Sequence, residues 1–428
     1  MAVASAADAQ DTAPPRSVKS LEECVAIGLK NRPSLASAEA HVDAGRARVY
    51  QAWSGYLPQL AGSWETDRRE SSFNTRTGGP NTAGALSSVN VYYYNSGAVT
   101  LSQTLFDFGQ NLAAIRAARA REDSLRADAD TNRQQVVFDV KQAYFGLLAS
   151  RRLASVAEET VRNDRQQLDQ ARGRFDVGFA PKIDVTRSEV LLARAELDLL
   201  VARNNVSVAE ETLRNALGLD TPIDFDIEDV LDRRAVALSE PEALDTAYTS
   251  RPELQSLLAQ QRATEQDVAQ HQREFLPTLT GAASYGGSGS DNADLDESWL
   301  LGARVNVPIF NAGLTANRLS ESRANLLALR SDERTLRQSI ALDVRRALLE
   351  VKRTGESIDV TGYAAEQAAE NLDLAQGRYN TGVGSVIELT DAQAQRASAE
   401  ADRVSALYQH QQAIAALEQA IGRELPKP

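Results

Sequence analysis

The stretch Arg174-Phe175-Asp176-Val177-Gly178 recurs in the second half of the chain as Arg378-Tyr379-Asn380-Thr381-Gly382. Each copy ends a proline-free run that keeps a helical pattern and starts after Gly109 or after Gly313. At about 1.5 Å per residue, the roughly 67 residues of such a run form a helix about 100 Å long, far longer than a globular domain needs. The glycine that ends each copy lets the chain reverse direction. These stretches therefore predict two long helical hairpins.

The predicted long helices carry apolar stripes at helical spacing. The stripes are Val136, Val140, Ala143 and Leu147 in the first long helix, and Ile340, Val344, Ala347 and Val351 in the second. The helix that returns after Gly178 alternates large and small apolar residues at steps of three and four: Leu192, Ala195, Leu199, Ala202, Val206, Ala209, Leu213 and Ala216. This spacing is typical of coiled coils, so we expect the helices of a hairpin to pack antiparallel.

The repetition extends over nearly the whole chain. Arg32-Pro33 recurs as Arg251-Pro252, and Phe106–Gly109 recurs as Phe310–Gly313. The separation is smaller for the second pair of motifs, so the first copy holds about 15 extra residues upstream of Phe106. Elsewhere the motifs of the two halves align without further gaps, which predicts a two-fold internal repeat.

Ahead of each long helix the apolar period changes from helical to alternating. Val99, Leu101 and Leu105 alternate with polar residues in the first copy, and Trp299 begins a similar run in the second. Each copy therefore holds a β-hairpin, at about 60–106 and about 279–309. The loops 74–88 and 286–298 are rich in Gly, Ser and Asn, so we expect them to be exposed and mobile.

The chain divides on these signals into a disordered lead-in (1–19), a first repeat (20–218), a connector (219–238) and a second repeat (239–428). Long helices are expected at about 110–176 and about 314–380, each followed by a tip turn and a return helix. Ser20 with Glu23, and Ser239 with Glu242, have capping-box spacing and predict the first helix of each repeat.

Composition limits the classes of function. The net charge of −13 opposes nucleic-acid binding, and three isolated histidines offer no metal-ligand spacing. No nucleophile, phosphate-loop or dinucleotide motif is present, so we expect neither an enzyme nor a cofactor. The single cysteine, Cys24, is expected to be a small core residue. Met1–Gln10 lacks a charged start and an apolar run, and we interpret it as the remnant of a signal-peptide cleavage region.

Four strands in one chain are too few to close a barrel, and their edges would be unpaired. Several chains must therefore contribute strands. Aromatic residues flank the strands at Trp64, Tyr92, Tyr93, Tyr94, Tyr285 and Trp299. This pattern predicts a shared membrane barrel with aromatic girdles. Two alternatives stay open: the aromatic residues belong to the core of a soluble sandwich, or the chain is a soluble coiled-coil scaffold or interaction protein.

The doubled Arg-Pro openings, Tyr56-Leu57-Pro58-Gln59-Leu60, Phe106-Asp107-Phe108-Gly109, Ala143-Tyr144 and the two turns together resemble the TolC family of outer-membrane factors. The resemblance implies a homotrimer with a shared 12-stranded barrel among outer-membrane lipids and an α-helical tunnel that extends into the periplasm. It also implies a passive exit duct for efflux or type I secretion. Its partners would be a periplasmic adaptor (membrane fusion) protein and an inner-membrane transporter, either a pump or an ABC exporter.

The resemblance also assigns roles to residues near the two turns. Val177, Gly178, Phe179, Gly382 and Val383 would face the adaptor. Glu388 and Asp391 are three apart, so both carboxylates project from one helix face, and they match the family's acidic periplasmic aperture. Asp184 and Tyr379 match residues that close this aperture by hydrogen bonding. Gly384 stands where the best-known member has its gate arginine.

Overall fold

A computed structural model describes residues 17–74, 87–230, 238–290 and 295–425. Residues 1–16 of the predicted lead-in, 75–86 and 291–294 of the predicted loops, and 231–237 of the predicted connector lie outside this part. By internal contacts the chain forms two units: Met1–Glu39, Ala127–Leu254 and Thr335–Pro428 make the first, and Ala40–Arg126 with Gln255–Arg334 make the second. No helix in the described ranges has the length and apolar character needed to cross a membrane.

The helices and the long strands follow the same order in both halves of the chain, and the first half adds two short strands. The first half contains β1 (Val18–Lys19), α1 (Leu21–Asn31), α2 (Pro33–Trp53), β2 (Gln59–Asn74), β3 (Ser87–Phe106), α3 (Gln110–Asp176), α4 (Lys182–Leu217) and β4 (Asp226–Ile227). The second half contains α5 (Glu240–Ser250), α6 (Pro252–Arg273), β5 (Thr278–Ser290), β6 (Asp296–Asn306), α7 (Leu314–Asn380) and α8 (Val386–Ile421). The mainly helical fold with doubled helical hairpins and β-hairpins is confirmed.

The predicted capping box at the start of α1 is present. The Ser20 hydroxyl accepts a hydrogen bond from the Glu23 amide at 3.3 Å, and the Ser20 amide donates to the Glu23 carboxylate at 3.0 Å. At the start of α5, the amide and the hydroxyl of Ser239 both donate to Glu242, and these bonds lower the pKa of that carboxyl. These side chains satisfy amides that the first helical turn leaves open.

Each Arg-Pro pair separates two helices and fixes the break to the rest of the first unit. Arg32 is extended because Pro33 excludes the helical conformation before it. The Arg32 guanidinium reaches Asp139 on α3 at 2.8 Å and the Asn215 carbonyl on α4 at 2.9 Å. In the second repeat, Arg251 pairs with Asp343 on α7 at 3.2 Å.

The glycine that ends each return helix packs against the same break. Gly218 follows α4 with φ of 67°, and a Cβ there would lie 3.0 Å from the Asn31 carbonyl carbon. Gly422 follows α8 with φ of 71°, and its Cβ would lie 2.9 Å from the Ser250 oxygen. Only glycine provides both this backbone conformation and this close approach, so the Arg-Pro and Leu-Gly or Ile-Gly motifs form one structural joint.

The core of the first unit is built from the predicted stripes. All eight stripe residues of α3 and α7 are buried, and Val140, Ile340 and Val344 are wholly enclosed. Leu213 and Leu217 on α4 pack with the α3 stripe and with Cys24 of α1. Burying one such leucine side chain stabilises the fold by about 1.5 to 3 kcal/mol. This apolar packing therefore makes a large contribution to the stability of the first unit.

Polar contacts give the lateral order of the four long helices in the first unit. α3 contacts α4 through Arg165 and Glu196, at 3.0 Å. α3 also contacts α8, through the buried ion pair of Lys141 and Glu418 at 2.7 Å. α8 contacts α7 through the hydrogen bond of Thr354 with His410, at 3.0 Å. The order is therefore α4–α3–α8–α7.

The second unit contains one four-stranded antiparallel sheet in the order β2-β3-β5-β6. β5 continues to Ser290 and β6 starts at Asp296, so the predicted loop 286–298 is shorter than expected. Glycine supports the strand here, because a Cβ at Gly286 would collide with the Gly97 carbonyl oxygen on β3. Val18 and Lys19, which the sequence places in the lead-in, pair in parallel with Asp226 and Ile227.

We predict that Gly218→Ala destabilises the protein by about 1 to 3 kcal/mol, because alanine is strained at positive φ and its methyl group meets Asn31. The midpoint of thermal unfolding, followed by circular dichroism, should fall. Gly173→Ala is the matched control, since a Cβ added at Gly173 has no heavy atom within 4 Å and α3 favours alanine. Equal unfolding midpoints for the two variants would contradict the conclusion that the joint requires glycine at position 218.

Candidate functional site

One face of the sheet is apolar across all four strands. Two registered rows cross it: Leu60–Leu101–Ala283–Leu301 and Gly62–Val99–Tyr285–Trp299. The opposite face carries small and polar rows: Ser63–Ala98–Gly286–Ser298 and Glu65–Ser96–Ser288–Asp296. In the single chain the apolar face is open, with Trp299 and Leu301 each 77% exposed. A face of this kind needs an apolar environment.

The predicted aromatic residues divide between the two faces. Trp64, Tyr285 and Trp299 belong to the apolar face and are exposed. Gly97 is opposite Trp64, and a Cβ at Gly97 would lie 2.7 Å from the indole ring. Tyr94 points to the other face, where the Arg69 guanidinium lies 3.9 Å from its ring centroid. The aromatic residues therefore lie on both faces of the sheet.

The outermost long helices of the first unit carry a second apolar stripe, opposite the buried one. On α4 this stripe comprises Val190, Leu197, Val201 and Val208, all at least half exposed. On α7 it comprises Leu342, Leu349, Val360, Tyr363 and Leu374, also exposed. Helices with apolar residues on two opposite faces are normally covered on both. Both lateral edges of the four-helix layer thus present uncovered apolar side chains.

The turn between α3 and α4 forms the first tip. Leu168, Ala171 and Val185 make a small core below it. At the turn Gly178 has φ of 80°, and Phe179 is 86% exposed with Val177 also exposed. The structure therefore brings the predicted docking residues of this tip together on an uncovered apolar surface.

The turn between α7 and α8 forms the second tip. Its core contains Leu372, Ala375, Tyr379, Val386, Leu389 and Ala392. Gly382 again has φ of 80°, and Val383 is exposed. Tyr379 is 5% exposed, whereas Phe175, its counterpart in the first repeat, is exposed. The two tips thus share their backbone but differ at this aromatic position.

The two predicted aperture acids have different surroundings. Glu388 receives an ion pair from the Arg378 guanidinium at 3.1 Å. Asp391 is exposed on the same helix, and it has no ion pair with any residue that the structure describes. Arg378 therefore offsets the charge of Glu388, and Asp391 contributes the uncompensated negative charge. Sequence spacing alone did not reveal this ion pair.

Asp184 and Tyr379, the two predicted aperture-closing residues, are not hydrogen-bonded to each other within the described part of the chain. Instead Arg174, from the first tip, lies over the Tyr379 ring at 4.1 Å from its centroid and donates to the Tyr379 carbonyl at 3.4 Å. The Asp184 carbonyl accepts a hydrogen bond from the Ser188 hydroxyl. Arg174 begins the repeated turn motif, but the motif does not predict its contact with Tyr379.

Gly384 leaves no space for a side chain. A Cβ there would lie 2.9 Å from the Arg378 Cβ and 3.0 Å from the Tyr379 nitrogen. The Gly384 amide donates to the Arg378 carbonyl at 2.9 Å, which holds the turn in this compact form. An arginine at this position would require the second tip to rearrange.

Comparisons with known proteins agree with this architecture. The family model of the outer membrane efflux protein matches residues 27–219 and 243–423. Outer membrane protein TolC of Salmonella enteritidis is 26% identical, over 85% of this chain and 73% of the relative. Alkaline protease secretion protein AprF of Pseudomonas aeruginosa is 25% identical, over 68% of this chain and 60% of the relative.

The fold matches the Campylobacter jejuni CmeC outer membrane channel with a TM-score of 0.82 and 18% sequence identity, over 94% of this chain and 85% of that one. The family model covers well over half of the sequence in two matching segments, one for each repeat. The chain therefore belongs to the outer membrane efflux protein family and is an outer-membrane exit duct of efflux or secretion systems, not an enzyme.

Proposed function

We propose that three copies of this chain close into one passive channel, with a shared twelve-stranded barrel in the outer membrane and a twelve-helix tunnel in the periplasm. The observation that carries this proposal is the pair of open edges on each layer. The sheet ends at β2 and β6, and the helical layer ends at α4 and α7. Adjacent copies would pair β6 with β2 and α7 with α4.

The main-chain groups of the outer strands support this arrangement. β2 and β6 each have one hydrogen-bonded neighbour in the described chain, so each has one open edge. Inside a bilayer an unpaired amide or carbonyl costs several kcal/mol, and closing the sheet removes that cost. The apolar face would then meet lipid, while the polar rows would line a water-filled passage.

The exposed stripes of α4 and α7 also match in depth. Val201 follows the first turn, and Val360 precedes the second, by about the same length of helix, roughly 30 Å in each case. Val190 and Leu374 form a second pair closer to the turns, each within roughly 15 Å of its own turn. Since both helices rise by the same amount per residue, these side chains would meet at equal heights between neighbouring copies.

The tips would dock on a periplasmic adaptor that connects the duct to an inner-membrane transporter. Val177, Phe179 and Val383 are exposed apolar side chains beside the reversing glycines Gly178 and Gly382. Apolar anchors of this kind are typical of protein interfaces. Energy for transport would come from the transporter, which is either a pump or an ABC exporter, and the duct would conduct passively.

The carboxylates near the second tip would form the negative ring of the periplasmic aperture. Three copies bring together three Asp391 and three Glu388 side chains. Because Arg378 compensates Glu388, Asp391 would dominate the electrostatic potential of the ring. Asp184 and Tyr379 lie on the two tips and would help to hold the same aperture closed.

We predict that Val201→Cys with Val360→Cys forms a disulfide between neighbouring copies under mild oxidation. Non-reducing electrophoresis should show a covalent trimer ladder. Cys24 is buried, and Cys24→Ala provides a background without it. The matched control pairs Val201→Cys with Leu342→Cys, whose heights along the layer differ by about 30 Å. Equal ladders from both pairs, or a ladder from the control alone, would contradict the proposed contact of α4 with α7.

We also predict that Asp391→Asn lowers the preference of the channel for cations by at least about twofold, because it removes uncompensated charge from the ring. Glu388→Gln should have a smaller effect, since Arg378 already offsets that carboxylate. Reversal potentials in planar bilayers under a KCl gradient measure the preference. Asp198→Asn on α4, an exposed acid away from the tips, is the control. Unaltered selectivity in Asp391→Asn would refute the acidic ring.

A further inference from the structure

We infer that a cavity between α3 and α8 binds a small organic ammonium ion. The carboxylate of Asp164 is the counter-charge, and the side-chain oxygen of Gln393 is a hydrogen-bond acceptor. The cavity lies inside the first unit of a single chain. The inference therefore goes beyond the proposed channel and does not depend on the number of copies in it. A ligand at this place connects the first helical hairpin to the second.

The cavity has room for a small molecule. Its volume is about 250 Å³, and it is lined by α3 on one side, α8 on the other and Leu372 of α7. One ordered water needs only about 15 Å³ of such space, whereas sites for drug-sized molecules begin at about 300 Å³. The cavity therefore suits a ligand of several non-hydrogen atoms.

The lining of the cavity is acidic. Three carboxylates line it, those of Glu159, Asp164 and Glu400, against the single cation of Arg396. Arg396 lies 3.2 Å from the Glu159 carboxylate and compensates its charge. Glu400 has a longer contact, of 4.0 Å, with Arg403. Asp164 is thus the lining acid without a cation, and the excess negative charge favours a positively charged ligand.

Asp164 also lacks a hydrogen-bond donor. Its carboxylate is half-buried, and it forms no ion pair or hydrogen bond with any residue that the structure describes. Burial raises the pKa of this carboxyl, and no neighbouring cation opposes the shift. A partly buried carboxylate without a partner is unfavourable, and an ammonium group beside it removes that disadvantage.

The α8 side of the cavity provides an acceptor without a donor. The side-chain oxygen of Gln393 is enclosed and has no hydrogen-bond partner in the described part of the chain. Buried acceptors are normally hydrogen-bonded, so an unpaired one indicates that a donor completes the site. An ammonium ion has both properties that Asp164 and Gln393 require, because it carries a positive charge and N–H donors.

The other lining residues favour an organic cation over a metal ion. Within the described ranges no three acidic, histidine or cysteine side chains are grouped so that they could hold a metal. Val156, Leu372 and Ala397 add apolar surface to the cavity. Apolar walls with a few convergent polar groups are typical of sites for organic molecules. A short aliphatic amine combines the required charge with methylene groups that fit these walls.

The internal repeat shows that the packing of the long helices does not require this polar lining. Positions near the tips of the two repeats are 204 residues apart. By this separation Asp164 corresponds to Ala368. Arg396 likewise corresponds to Leu192. The long helices have the same lengths in both repeats, so the polar residues of the cavity are an addition to a shared scaffold.

The site is tested with putrescine, a linear aliphatic diamine, by isothermal titration calorimetry of the protein purified in detergent. We expect Asp164→Asn to weaken binding at least about tenfold, because it removes a charged hydrogen-bond partner. Gln393→Leu removes a neutral acceptor and should weaken binding about threefold or more. The uncharged diol of the same chain length should not bind. Absence of putrescine binding to the wild type, or equal affinity for the diol, overturns the inference.

Asp169→Asn is the matched control. Asp169 lies on the same helix as Asp164, is exposed and does not line the cavity. This variant should bind putrescine as the wild type does. Equal weakening by Asp169→Asn and Asp164→Asn would assign binding to the general negative charge of the helix and overturn the site. If Mg²⁺ binds in place of putrescine and Asp164→Asn removes its binding, the site takes a metal ion and the inference is wrong.

Thermal unfolding, followed by circular dichroism, separates a binding role of Asp164 from a structural one. Without putrescine, Asp164→Asn should unfold at or above the midpoint of the wild type, because it removes an unpaired charge. Putrescine should raise the midpoint of the wild type and of Asp169→Asn, but not that of Asp164→Asn. A lower midpoint of Asp164→Asn without putrescine would show that the carboxylate stabilises the fold itself, and it would overturn the inference.

Discussion

The open main-chain edges of β2 and β6 are the constraint on which the rest of the molecule depends. A strand edge that stays unpaired in a bilayer leaves amide and carbonyl groups without hydrogen-bond partners. The four-stranded sheet of one chain therefore cannot place its apolar face in lipid without further strands at β2 and β6. The helical layer also has two open edges, because α4 and α7 each expose an apolar stripe opposite the buried one. Closure by further copies, as proposed, would cover the open edges of both layers. A soluble scaffold would leave Trp299, Leu301 and their row partners in water, which makes that alternative unfavourable.

The internal repeat builds both halves of this architecture from one sequence pattern. Contacts that are the same in the two repeats are structural, and contacts that differ indicate functional positions. The Arg-Pro break and the terminal glycine form the same joint twice, with Arg32 on Asp139 and Arg251 on Asp343. At the tips the copies diverge. Arg378 neutralises an acid of its own tip, while Arg174 reaches the ring of Tyr379 in the other tip. A duplicated motif therefore produces an asymmetric pair of tips.

The sequence predicted the elements whose signals are local and repeated. The proline-free runs, the apolar stripes and the capping boxes identified the long helices and their buried faces, as Val140 and Ile340 illustrate. The extent of β5 was missed, because Gly286 and its neighbours resemble a loop until the approach of Gly97 is known. The contact of Arg174 with Tyr379 was not predicted for a related reason: the two residues are far apart in the sequence, and no spacing rule encodes a contact between two separate turns. Helical spacing likewise did not predict that Arg378 pairs with Glu388 and leaves Asp391 without an ion pair among the described residues.

The most direct test of the proposed trimer is a cryo-electron microscopy structure of the protein purified in detergent. We predict a threefold assembly in which β6 of each copy is hydrogen-bonded to β2 of the next, with the apolar rows outside and the α4 stripe of one copy against the α7 stripe of its neighbour. A different number of copies, a pairing of β2 with β2, or a sheet whose outer edges stay open would contradict it.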